Sequence, residues 1–234
     1  MARYDVKSGQ VSSGIILKND SMYISYGGVA SNTTVNYWGS MYIGNGGVAS
    51  NTFVESNGDV CISSGGVASS TIVNSSGRMW ISSGGVANST TMSGGSMCIH
   101  SGGVANSTTM SGGSMCIHSG GVASSTTMSG GSMSISSGGV ASNTTVDGYM
   151  SISSGGEASN TTVNAGGYMS ISSGGTAIAI KENGGYVYVD AGANVTFVSN
   201  TINGMVIDNY RTMTVHSNTV AINTTVSSGG SMSI

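Results

Sequence analysis

Proline is missing from this 234-residue chain, and charge is almost missing: six basic and nine acidic residues make up 6% of it. A net charge of −3 with so few cations leaves no basic patch for nucleic acid. The acidic residues are dispersed (Asp5, Asp20, Glu55, Asp59, Asp147, Glu157, Glu182, Asp190, Asp208), and no two share a repeat position in adjacent units. Clustered carboxylates, needed for acid–base cleavage of polysaccharides or for calcium, are therefore not expected. The three histidines have no carboxylate beside them in sequence, which is poor material for a catalytic triad. Three cysteines do not form a disulfide framework, because Cys61 has no partner. Helices are also excluded. Gly pairs interrupt the chain about every nine residues, too often for helical repeats.

Repetition is abundant instead. Val86–Gly103 reads VANSTTMSGGSMCIHSGG, and Val104–Gly121 repeats it without a change. A Met-x-Ile triplet opens units at Met22, Met41, Met79, Met97, Met115, Met133, Met150 and Met169, with Val60 in the Met place once. Ser-Ser-Gly-Gly, Val-Ala, a Ser/Asn pair, Thr-Thr-Val and another Gly-rich turn follow, in units of 17 to 19 residues. A short fixed period belongs to a solenoid, whose coils bury apolar surface only against their neighbours. The segments between turns are short, alternating and rich in Val, Ile and Thr, which is strand chemistry. The expectation is an all-β, single-stranded parallel β-helix of about twelve coils. With two short strands per coil, the rod would be roughly 55–60 Å long.

Because each position is sampled many times, the repeat also reveals direction. The triplet keeps Met and Ile at its flanks, while its middle runs through Tyr23, Tyr42, Cys61, Trp80, Cys98, Cys116, Ser134, Ser151 and Ser170. Alternation then puts Met and Ile inside and the variable residue outside. The constant Ala30, Ala49, Ala68 and their equivalents should face inward at a tight bend. In Thr-Thr-Val, Phe53 and Ile72 enter only at the middle place, so Thr33 and Val35 point in, and inward threonines could bond to their copies one coil away. Residues 1–21 read as a degenerate, charged capping coil and 22–186 as the regular solenoid. Residues 187–212 read as an enlarged irregular coil, and 213–234 as a regular coil of an array expected to continue.

Few side chains suggest a site. Cys98, His100, Cys116 and His118 should project from neighbouring strands as a rectangle of about 4.8 by 6.8 Å, a donor set that zinc accepts. Duplication of the whole unit explains the match without a metal, so no metal or other cofactor is assigned on sequence. A Cys98–Cys116 disulfide is not favoured by in-register parallel geometry. Outward Tyr23, Tyr42 and Trp80 are a candidate binding stripe. The sequons at Asn32, Asn88, Asn106, Asn143 and Asn160 read as bend residues.

The units Gly27–Asn36 (GGVASNTTVN) and Ser153–Asn164 (SSGGEASNTTVN) resemble the repeats of AIDA-type adhesins, and the likeness spans nearly the whole chain. The resemblance implies a right-handed β-helical autotransporter passenger on a Gram-negative cell surface, non-enzymatic, acting in adhesion or self-association. Its implied partners are like rods, a host receptor or glycan, and a heptosyltransferase modifying repeat serines. Met1–Gln10 does not read as a signal peptide, and no C-terminal run of strands reads as a translocating barrel or a membrane insertion. The alternatives are a glycan- or ice-binding solenoid, or a passive stalk presenting a tip located elsewhere.

Overall fold

The unit Ser21–Gly39 shows how this sequence makes one coil. Strands Ser21–Ile24, Val29–Ser31 and Thr34–Asn36 are separated by corners at Tyr26–Gly27, Asn32 and Tyr37–Trp38. All five corner residues have positive φ, between 45° and 75°. This coil thus carries three strands where two were expected, whereas the coils opening at Ser132, Tyr149 and Tyr168 carry two. The added bend is the single left-handed residue between Val-Ala and Thr-Val, a role suited to Asn. Asn32, Asn143 and Asn160 hold this corner, as expected of bend residues. Asn88 and Asn106 do not: they end strands, and Ser89 and Ser107 next to them take the positive φ.

The Gly pairs answer two separate demands. Gly120 sits at φ 73°, open to glycine at little steric cost. Gly121 has no such φ, but a Cβ there would lie 2.5 Å from the carbonyl oxygen of Ile99 in the coil beneath. The first glycine bends the chain and the second lets two coils touch.

The computed structural model describes residues 1–234, built of strands and turns with no helix. Its coils stack in parallel through about 13 turns, on the order of 60 Å at normal strand spacing. Register is residue on equivalent residue: Met97 on Met115, Cys98 on Cys116, Ile99 on Ile117. Twenty-seven strands, up to Asn194–Phe197, form one continuous hydrogen-bonded network. The inward rows are Met and Ile of the opening strand, the constant Ala, and the Val or Met that follows Thr-Thr. They merge into one cluster of 39 buried residues.

The inward threonines are a correction. Thr33, Thr52, Thr71, Thr90, Thr108, Thr126, Thr144 and Thr161 are buried as expected, yet none of their hydroxyls has a hydrogen-bond partner. The backbones of in-register parallel strands sit about 4.8 Å apart, and the inward threonine hydroxyls do not close that distance as the outward Ser13 and Ser31 hydroxyls do at 3.0 Å. The hydroxyls form a column without forming a ladder.

Beyond Phe197 the rod changes. Val195 stacks on Ala177, whereas Ile202 stacks on Ala221 in the opposite direction. The coil between them therefore holds the Val-Ala strand twice, one copy for each neighbour, which explains the 26 residues separating Val187 from Met213. Three two-stranded sheets follow, around a separate small core of Ile202, Ile207, Met213 and Val215. At the other end, strand Arg3–Val6 pairs with Ser21–Ile24. Arg3 there bonds Asp5 at 2.9 Å and lies 4.2 Å from the Tyr23 ring centre.

Candidate functional site

The variable residues of the opening strand form one outward column, from Tyr23 through Tyr42, Cys61, Trp80, Cys98 and Cys116 to Ser134. Tyr23 and Tyr42 stack with ring centres 4.8 Å apart. Cys61 separates them from Trp80, which turns instead toward His100 at 5.8 Å. His100 in turn stacks on His118 at 4.7 Å. The structure thus joins Tyr23 with Tyr42 and places Trp80 in a different stack. Sequence reading missed a third row, Tyr149–Tyr168–Tyr186, with centres 5.2 Å apart. The signal was available, since each precedes the Met (or Val187) of its triplet.

Three of the four proposed metal donors come together. Donor atoms of Cys98, Cys116 and His118 all lie within 4.8 Å of one another, and all three residues are half-buried. His100 stands outside the group, held between Trp80 and His118. Burial first, and then the neighbouring Cys116, pushes the Cys98 thiol up to about 11. Cys61 is also raised, by burial and then Asp59, with Arg78 opposing. Arg78 itself forms a fork with Asp59 of the coil below, at 2.7 and 2.9 Å.

The third constellation is inside. Glu182 stacks on Val163, so register places its carboxylate at a core position, fully buried. Oε1 accepts from the Thr214 hydroxyl at 2.7 Å and lies 2.7 Å from Nδ1 of His216, while Oε2 accepts from the His216 backbone N–H at 2.8 Å. Burial pushes the carboxyl up, but the bonds from His216 and Thr214 outweigh it and leave Glu182 below its ordinary value. The His216 ring stacks on Phe197 at 4.5 Å. His216 therefore does have a carboxylate neighbour, brought from 34 residues away. A triad does not result, since the Thr214 hydroxyl donates to the carboxylate, away from the imidazole.

Residues 42–95 match the family described as "Adhesin of bacterial autotransporter system, probable stalk". Over those residues the coils are similar to AIDA-type adhesin repeats. No curated protein matches the chain. A solved structure of a hyper-glycosylated TibA fragment, the glycosylation catalysed by TibC, is similar with 26% identity and a TM-score of 0.64. The similarity covers 99% of this chain and 92% of that one. Nearly every coil described above thus has a counterpart in that solved structure.

Proposed function

We propose that this chain is a non-enzymatic stalk region of a bacterial surface adhesin, and that it self-associates with like rods through its long faces. One observation carries the reading: about 13 stacked turns, closely alike through the middle of the rod, present repeated polar columns with almost no charge. Exposed Ser64, Ser83, Ser101, Ser119, Ser137, Ser154 and Ser173 recur once per coil at the same corner. Contacts between such columns are individually weak, but the array multiplies them through effective concentration. Sedimentation at low and high salt tests this. Concentration-dependent association with little salt dependence is expected, because few charges are available to screen. A strict monomer at high concentration would favour a passive spacer.

The same serine column is the proposed acceptor for a glycosyltransferase, the modification that the similar TibA fragment carries. Its hydroxyls are exposed on turns, where an enzyme can reach them. Intact mass after co-expression with a heptosyltransferase checks this, with Ser101→Ala and Ser119→Ala expected to lose one sugar each. A glycan-binding reading has one observation in its favour. Exposed Phe53 and half-buried Ile72 line a shallow groove of about 460 Å³ with Asn32 and Asn51. Phe53 and Ile72 also interrupt the outward threonine row that an ice-binding face would need.

A further inference from the structure

The Cys98–Cys116–His118 cluster is used by nothing in the adhesin reading. We propose that these three side chains bind one divalent d10 cation, zinc foremost, on the outward face of the rod. The donor chemistry comes first. Two thiolates and an imidazole suit zinc, whereas magnesium and calcium need oxygen donors, and the cluster includes no carboxylate.

Geometry agrees. Tetrahedral zinc with bonds near 2.0–2.3 Å holds its donors roughly 3.3–3.8 Å apart. The three donor atoms already lie within 4.8 Å of one another, so side-chain rotation alone closes the difference. The two cysteine backbones are fixed from both sides, and His118 directly follows the second strand. Met97 and Ile99 flank Cys98, Met115 and Ile117 flank Cys116, and all four are fully buried in the stacked core. Donors carried on rigid strands are better organised for binding than donors on loops. His118 is further restrained by its stack on His100. Three protein donors leave a fourth place for water.

A disulfide is the competing fate of the two thiols. Cys98 and Cys116 are directly opposite on in-register parallel strands. Their spacing of about 4.8 Å holds the Cβ atoms beyond the usual 3.5–4.5 Å of a disulfide. A cation bridges that separation without moving the backbone. The set is also local: the next coil carries Ser134 and Ser136 where Cys116 and His118 stand.

The test uses the full chain, reduced and stripped of metal, titrated with zinc chloride against a chromophoric chelator and separately with cobalt chloride. One zinc per chain is expected, together with thiolate-to-cobalt charge-transfer absorption. Cys98→Ser and Cys116→Ser should each abolish that absorption, and His118→Ala should weaken zinc binding by at least about tenfold. Cys61→Ser and His100→Ala should retain full stoichiometry. These side chains point outward, so circular dichroism should confirm that every variant folds. The proposal is overturned if the wild-type chain binds no zinc, or if Cys116→Ser binds like the wild type. Oxidation of Cys98 and Cys116 to a disulfide in air despite stoichiometric zinc would overturn it equally.

Discussion

Thr214 donates its hydroxyl to the carboxylate of Glu182 at 2.7 Å, across the level of the rod where the strand ladder is broken. The same hydroxyl oxygen accepts from the Val187 N–H at 2.9 Å. Side chains thus replace missing strand pairing and clasp the last two coil levels onto the main solenoid. One further backbone bond, Thr214 N–H to Gly185 C=O at 3.2 Å, accompanies them. The small core beyond has only four buried residues, so this clasp, with the bond from the Asn200 amide to the Glu182 backbone carbonyl, holds it to the rod.

Removing the carboxylate should release that end. Glu182→Ala leaves the Thr214 hydroxyl and the His216 N–H without their buried partner, at a cost on the order of 1–3 kcal/mol. Amide exchange should quicken across residues 200–234 and stay unchanged in 79–135. Equal exchange in both regions of variant and parent would show that the clasp holds nothing.

Acid should act on the same clasp. The folded carboxyl lies below its ordinary value of 4.5, because bonds from His216 and Thr214 outweigh burial. Its contribution to stability is then complete above the unfolded value and fades as pH falls through the folded one. Protection of residues 200–234 should hold from neutrality to about pH 5 and weaken below the ordinary glutamate range. Glu182→Gln should flatten this dependence.

The buried threonine column makes an opposite prediction. The Thr108 hydroxyl is buried without a partner, so Thr108→Val exchanges an unpaired polar group for a methyl of similar shape. Thermal unfolding should shift upward or not at all. A clear loss of stability would mean that the hydroxyl has a partner after all.

Direction can be tested on adjacent residues. Ile135 is fully buried and Ser134 half-exposed, on one strand. Ile135→Asp should cost several kcal/mol by burying an unpaired charge, and Ser134→Asp little. Similar melting temperatures for both would contradict the packing described here.

The repeat alone determined what each position does. Met22, Ile24, Ala30 and Val35 could be assigned inward because about a dozen copies show which places stay apolar almost throughout, and alternation on a strand converts that regularity into direction. Glu182 stood in the sequence only as one of nine dispersed acidic residues, and the strand register that pairs it with Val163 places it inside. Tertiary structure decided everything that depends on distance between coils. The stacking interval of about 4.8 Å separates the inward threonine hydroxyls but leaves Cys98, Cys116 and His118 within reach of one another. The partners of Glu182, 32 and 34 residues onward, follow from the doubled strand between Val195 and Ile202. No repeat position encodes them, because they meet where the repeat itself fails and the ordinary coil-on-coil register no longer applies.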